Sequence, residues 1–395
     1  MDNRLIETGV PPRRVFERAN LTWLAEGDNH DYIGPEFVQI QDTELLRLEQ
    51  AATDLHELCW EAVKITVERQ LWDELGIPEL CRPLLEYSVQ SEGDLFLLGR
   101  FDFAGGIEQV PLKMLEYNAD VCSLLPETAM LQKQLARHFA PVLNHEQPFN
   151  ELEAHLEERW RTVLDSFPNL EPTLLVVHLG DQEDIYNCEP IAFAARQAGF
   201  ERVETVHLKD VTFSADEGIF LQQPDGKYRN FGFLYKFVPW EIAAFDEPNL
   251  WRDLEDIVTA QRGVVLQPAW TFLAQNKALM QIMHDLEPHN PYLLRTRPTL
   301  LDFPTSRFVR KPRYGRMGEN IQYYDGHPLP AQETGGDYAE RPPVYQEVAE
   351  FNLDSDNCRY QPSIFYGTRP SGLAIRREEG LIVGDDAEYM GHVVV

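Results

Sequence analysis

The chain has 395 residues, enough to bury a large core and to divide into two or three subregions. With 43% hydrophobic and 25% charged residues it is composed like an ordinary globular protein, while 35 basic against 65 acidic residues leave a net charge of −30. Such a surface repels nucleic acid and anionic lipid and attracts cationic small molecules, so no nucleic-acid or membrane partner is expected. The first thirty residues mix Arg, Glu and Asp with no apolar run suited to a secretion signal, and no stretch approaches the length of a membrane span. Cysteines 59, 81, 122, 188 and 358 are scattered, with no CxxC pair, which predicts reduced cytoplasmic thiols and argues against structural zinc.

The first long predicted element is a helix with an N-cap at Asp42, running to about Asp73, with Leu45, Leu48, Ala52, Leu55, Cys59, Ala62 and Val63 as its apolar stripe. Two short strands follow in GRFDFAGGIEQVPLKMLEYNAD, from Gly99 to Asp120. Residues two apart project from one side of a strand, so Arg100 goes with Asp102 and Glu116 with Asn118. Pairing of the strands across Gly105-Gly106 brings one guanidinium and three oxygen donors together, a set suited to Mg²⁺ and phosphate. A helical region is predicted from about Pro126 to Phe167.

The continuous apolar run TLLVVHLG (173–180) predicts a buried parallel strand. EPIAFAARQAGF reads as a helix closed near Gly199, and RVETVHL as a second strand. This βαβ pattern predicts an open α/β layer over about 170–245, extended by GFLYKFV at 232–238. In the last third, RFVRKPR (307–313), NIQYYDG, VYQEVAEF, YQPSIFYG and the hairpin LAIRREEGLIV predict antiparallel strands. PLPAQETGGDYAERPP (328–343) reads as a surface loop.

In KPRYGRMGEN (311–320) a lysine ends a strand and two glycines bracket Arg316. Backbone amides of such a loop cradle phosphate while Lys311 and Arg316 neutralise it, although a basic hairpin loop without ligand explains the pattern equally well. It is not a Walker A sequence, which needs GxxxxGK[ST]. Taken singly, Lys277 in PAWTFLAQNKALM reads as a solvated lysine opening a helix, and Arg376 in GLAIRREEG as part of an exposed charged hairpin. No histidine motif supports Cys122 as a nucleophile; His56, His178 and His207 fall inside predicted elements, where a structural role is the simpler reading. GxSxG, HExxH and GxGxxG are missing. Phosphoryl transfer needs none of these, only positioning and charge stabilisation.

GRFDF, LEYNAD, FLYKFVPWE, LQPAWTFLAQNKALM, VRKPRYGRMGENI, VYQEV and LAIRREEGLIV occur in this order, and together they resemble the glutathionylspermidine synthase family from about residue 30 to the C-terminus. The resemblance implies an ATP-grasp fold, ATP and Mg²⁺, and an acid–amine ligase. In such an enzyme a peptide-like carboxylate is phosphorylated to an acyl phosphate that an amine, for example a polyamine, then attacks. It implies Asp102, Glu116 and Asn118 as Mg²⁺ ligands, and Arg100 as the group contacting both the transferred phosphoryl and the acid. Lys277 and Lys311 match nucleotide-binding lysines, Arg316 the arginine of a lid loop over the phosphates, and Gln346 and Glu347 the strand beside the adenine. Arg376 matches the arginine that holds the acid's carboxylate.

After NAD the family carries a Ser/Cys-rich glutathione-binding stretch. Here it is VCSLLPE, in which Ser123 and Glu127 match while Val121 and Leu124 depart, so glutathione is not implied as the acid. Glu183 and Asp184 in DQED (181–184) are the candidate carboxylates for a cationic amine, with a plain acidic loop as the alternative. The cysteine amidase domain of bifunctional members has no counterpart, so no hydrolytic half-reaction is expected. The expected architecture is α/β (α+β): an ATP-grasp-like fold with an additional open α/β layer and an N-terminal helical region. It forms one catalytic unit over 1–395, with approximate subregions 1–168 (helices and site strands), 169–262 (open layer) and 263–395 (nucleotide-binding region). A catalytically degenerate ATP-grasp module that binds nucleotide in a regulatory role is the alternative.

Overall fold

The computed structural model describes residues 1–26, 31–303 and 305–395. Its longest helix, Asp42–Glu68, buries Leu45, Leu48, Ala52, Leu55, Cys59, Ala62 and Val63, the stripe expected of an amphipathic helix. The cap is Gln41 rather than Asp42: the Gln41 N–H donates to Glu44 Oε2 at 2.9 Å, part of a capping box. The helix stops at Glu68, short of Asp73, because Gln70 adopts φ 54 and the Leu71 N–H turns back to the Thr66 carbonyl at 2.9 Å. A separate short helix, Trp72–Leu75, follows.

This helix packs on an eight-stranded sheet that interleaves the first and last thirds of the chain. Its order is Leu5–Glu7, Ile33–Ile40, Glu388–Val394, Pro370–Glu378, Arg359–Tyr366, Gly99–Ala104, Lys113–Asn118, with Asn352–Leu353 paired to Arg359–Tyr366 off this path. The second half of the expected hairpin LAIRREEGLIV does not pair. Pro370–Glu378 pairs instead with Glu388–Val394, and Leu381 to Val383 curl away. The curl wraps the Glu378 carboxylate, which accepts from the N–H groups of Gly380 (2.8 Å) and Gly384 (3.3 Å).

The open α/β layer is a four-stranded parallel sheet in the order Val264–Leu266, Phe233–Lys236, Thr173–His178, Arg202–His207. Thr173–His178 is buried along its whole length, as its uninterrupted apolar run requires. Helix Gln182–Ala198 makes the crossover and closes at Gly199, φ 113. DQED is therefore not a loop after the strand: Glu183 and Asp184 occupy the helix's first turn, where carboxylates complement the helix dipole. A five-stranded antiparallel sheet runs Thr296–Arg297, Pro343–Glu347, Arg307–Pro312, Gln322–Asp325, Gln332–Glu333. Val211–Ser214, Gly218–Gln222 and Tyr228–Phe231 form a small meander. Among the described residues no helix is long and apolar enough to cross a membrane.

Candidate active site

Strands Gly99–Ala104 and Lys113–Asn118 pair with Arg100 opposite Asn118 and Asp102 opposite Glu116. Their connection turns at Gly105, φ 72, where a Cβ would lie 2.1 Å from the Pro111 carbonyl oxygen; only glycine fits. The Arg100 guanidinium grips Asp102 in a fork, Nε to Oδ1 at 2.7 Å and Nη2 to Oδ2 at 2.9 Å. Its Nη1 donates to the Ser123 carbonyl at 2.7 Å and to Ser123 Oγ at 3.3 Å. Asn118 Nδ2 lies between the two carboxylates, 3.1 Å from Asp102 Oδ2 and 3.4 Å from Glu116 Oε1.

The hairpin is the floor of a cleft of about 470 Å³. The five-stranded sheet and the loop after Pro312 overhang it, and the carboxyl ends of two parallel strands supply Leu179 and Phe237 at its side. Every expected site residue except Glu127 lines this cleft. Lys277 Nζ is 3.2 Å from Glu116 Oε2 and donates to the Gly315 carbonyl at 2.7 Å. Lys311 Nζ donates to the Leu115 carbonyl at 2.7 Å. Burial pulls the Lys311 ammonium down to about 7; Lys277 adds to the fall and Glu116 opposes it. Burial pushes the Glu116 carboxyl up, but Lys277 and then Lys311 outweigh it and hold it well below the usual carboxylate range. Gln346 is buried, its Nε2 bonding Thr296 Oγ1 at 3.3 Å and the Leu115 carbonyl at 3.4 Å. Glu347 follows it on the same strand, its N–H on the Arg295 carbonyl at 2.9 Å.

Arg376 is not part of an exposed hairpin. Its side chain is 14% exposed, Nη2 lies 3.9 Å from Asp102 Oδ2, Nη1 donates to the Gly384 carbonyl at 3.2 Å, and Nε is buried without a partner among the described residues. Arg316 donates to the Tyr338 hydroxyl from Nε at 3.0 Å and Nη2 at 2.6 Å, and Nη2 is 3.6 Å from Glu241 Oε1. Tyr338 belongs to the segment expected to be a surface loop. The segment is drawn into the cleft because the Tyr338 N–H bonds Asn320 Oδ1 at 2.7 Å and the Asp337 N–H bonds Glu319 Oε2 at 2.8 Å.

Glu183, Asp184 and Asp385 line the cleft as well. Glu183 is an exposed residue whose carboxyl is pushed up to about 7 by partial burial, then by Asp385, Glu127 and Asp184. Burial and a like-charged neighbour raise Asp184 (Asp181) and Asp385 (Asp386) too. Glu127 sits behind the lining, where burial raises its carboxyl, Oε1 accepts from the Tyr32 hydroxyl at 3.0 Å and Oε2 has no hydrogen-bond partner among the described residues. Burial pushes the Cys122 thiol up to about 12 although Arg100 opposes it, so Cys122 is no nucleophile at neutral pH. His56 is structural: its Nδ1 meets the Tyr117 hydroxyl at 3.0 Å, and burial pulls its imidazole down to about 4. The sequence alone does not point to Tyr338, Glu241 or Asp385; Glu241 ends FLYKFVPWE, but the other two stand in polar loops that carry no periodic signal.

The sequence model of the family described as "Glutathionylspermidine synthase preATP-grasp" matches residues 6–395. The chain belongs to this family. A Haemophilus influenzae member named "Putative acid--amine ligase" is 27% identical over 361 residues, which span 89% of this chain and 88% of that one. The Escherichia coli "Bifunctional glutathionylspermidine synthetase/amidase" is 26% identical across 100% of this chain, which spans only 64% of that protein's length. Among solved structures, a glutathione synthetase-like effector (GSS30) from Globodera pallida aligns over 91% of this chain and 89% of its own, with TM-score 0.55 and 11% identity. At that identity the likeness is one of fold, and it agrees with the mixed α/β, ATP-grasp-like architecture expected for this glutathionylspermidine synthase family member.

Proposed function

We propose that this family member is an ATP- and Mg²⁺-dependent acid–amine ligase that forms an amide through an acyl phosphate. The observation that carries the reading is one cleft holding the Asp102–Glu116–Asn118 oxygen set, the cations Arg100, Lys277, Lys311, Arg316 and Arg376, and the carboxylates Glu183, Asp184 and Asp385. The donor set fits a hard divalent cation. The Asn118 NH₂ lies between two carboxylates, where a positive charge is favoured, and rotation of that amide presents Oδ1 instead. Bound Mg²⁺ would draw charge from the phosphate oxygens.

The chain's own groups supply the rest. Lys311, short of counter-charge at its buried position, suits a phosphate oxygen, and Lys277 stands beside it. Gln346 and Glu347 suit the base at the far end of the nucleotide. Arg100 and Arg376 flank Asp102 and can gather the acid's carboxylate against the phosphoryl group. A carboxylate oxygen attacks the terminal phosphorus and ADP leaves; the amine nitrogen attacks the acyl carbon and phosphate leaves. The attacking nitrogen gives up a proton, for which Glu183, titrating at about 7, is a suited acceptor. Buried free thiols accord with a cytoplasmic setting.

The test is a screen for ADP release and new amide mass over peptides and amino acids combined with polyamines and simpler amines. Turnover by any pair supports the ligase. Nucleotide binding by calorimetry with no turnover by any pair supports the regulatory module instead.

Two further outcomes are expected. Tyr338→Phe removes the acceptor of two Arg316 bonds and should raise the KM for ATP about tenfold, the worth of a hydrogen bond to a charged group. Added to Arg316→Ala it should change nothing more; an equal effect in both backgrounds would place Tyr338 outside the lid's action. The second outcome concerns pH. Glu183 titrates above its ordinary range, so below about pH 7 it is protonated and holds a cationic amine poorly. The amine's KM should therefore climb as pH falls through 7, and Glu183→Gln should flatten the profile. A profile identical to the unmutated enzyme's would show that Glu183 does not meet the amine.

A further inference from the structure

Part of the lining of the cleft that holds these arginines and carboxylates is apolar. Val121 and Phe237, 8% and 4% exposed, both line it, together with Leu179 and Pro239. They meet because the residues preceding two of them are bonded: Lys236 Nζ donates to Asp120 Oδ1 at 2.5 Å. Among the described residues, Arg376 Nε and Gln361 Nε2 of the lining are buried without a partner and remain as donors at the carboxylate end, while the following groups along the apolar stretch are engaged. The Phe237 N–H donates to the Val177 carbonyl at 2.8 Å, the Trp240 N–H to Asp120 Oδ2 at 2.6 Å, and Pro239 has no N–H. The Ser123 carbonyl and hydroxyl both accept from Arg100.

A substrate whose carboxylate lies at Arg100 and Arg376 thus has charged partners at its reacting end and hydrocarbon beside it. Amides, thiols or further carboxylates placed there lose water without gaining a partner, whereas an alkyl or aryl body gains by leaving water. We infer that the acid substrate carries an apolar group next to its carboxylate, as an N-acyl derivative of an apolar amino acid does, and that glutathione is a poor substrate. This inference rests on the ligase reading.

The experiment compares kcat/KM, read as ADP release with amide confirmed by mass, for N-acetyl-leucine, N-acetyl-phenylalanine, N-acetyl-serine and glutathione, each with spermidine, ATP and Mg²⁺. The apolar acids should exceed N-acetyl-serine and glutathione by about tenfold or more. Val121→Thr keeps the side chain's shape and adds a hydroxyl, so it should narrow the leucine-to-serine ratio several-fold. Phe237→Leu keeps the wall apolar and should shift preference between the phenylalanine and leucine acids, which keeps the test open if the Thr variant folds poorly. Turnover that prefers glutathione or N-acetyl-serine, or ratios that neither variant moves, overturns the inference and leaves the ligase reading standing. No ADP from any acid with spermidine or with the simpler amines of the wider screen overturns both.

Discussion

Asp102→Ala is expected to abolish ADP formation, lowering turnover by at least about 10³-fold. Asp102 is 1% exposed and stands at the junction of the site, taking two bonds from Arg100, one from Asn118, and lying 3.9 Å from Arg376. Its loss removes one of the two carboxylates in the oxygen set and frees Arg100, which among the described residues otherwise bonds Ser123. Alanine also leaves a guanidinium without its anion in a buried place, so a fall in stability would confuse the result. Asp102→Asn lessens the second effect, although it too takes the anion from Arg100. It keeps the shape and one acceptor for Arg100 but removes the charge, so turnover should fall almost as far while thermal unfolding followed by circular dichroism shifts less than in Asp102→Ala. Glu116→Gln should behave alike, its side chain being 25% exposed and thus cheaper to change. Asp102→Asn forming ADP at the normal rate with a confirmed substrate pair would dismiss the metal assignment. Nucleotide binding that survives while turnover vanishes would leave the ligase reading intact.

How much of this was legible in the sequence depends on how far apart the partners are. Arg100 could be grouped with Asp102, and Glu116 with Asn118, from spacing alone, because a strand's two-residue period fixes which side chains share a face; the register between the strands, across the connection 105–112 and with an irregularity between Asp102 and Phe103, is set by the fold. The parallel layer was legible too, since strands buried on both faces must be continuously apolar. Lys277 and Arg376 could not be placed that way. They reach the hairpin through tertiary packing, and only their membership in the family's blocks pointed to the cleft. Tyr338 and Asp385 had neither aid. The bend of Leu381 to Val383 was hidden because an apolar triplet after a turn looks like a returning strand; the Glu378 carboxylate captures its two flanking N–H groups instead. Glu127 was read from a linear match, which carries no information on which side of a wall a buried carboxylate lies.

The last residue of LEYNAD supplies the contrasting prediction. Asp120 does not line the cleft; it joins the site hairpin to the parallel layer. Its carboxylate accepts from Lys236 Nζ at 2.5 Å, the Trp240 N–H at 2.6 Å and Thr271 Oγ1 at 3.2 Å, with side-chain exposures of 2% for Asp120 and 5% for Lys236. Asp120→Ala would leave an ammonium in the core with the Val238 carbonyl and the face of the Trp240 ring but no anion bonded to it, and it would orphan the Trp240 N–H. Breaking a buried pair from one side costs about 3–5 kcal/mol, a large part of the 5–15 kcal/mol that holds an ordinary domain together. Denaturant unfolding should therefore show a loss of that size and poor yield at 37 °C. Lys236→Met removes the charge from the other side and fills the space with an apolar chain, yet it strands the Asp120 carboxylate, so it too should destabilise, though less, because Trp240 and Thr271 still bond that carboxylate. Asp120→Asn/Lys236→Met together remove both charges and should recover much of the loss, as replacement of buried pairs by neutral groups does. If Asp120→Ala instead cost under about 1 kcal/mol while turnover collapsed, Asp120 would act in the chemistry and not in the clamp. In the expected case the two aspartates, eighteen positions apart in one motif, divide the work: changing Asp102 to Asn removes activity from a folded protein, and changing Asp120 to Ala removes the fold that holds the activity in place.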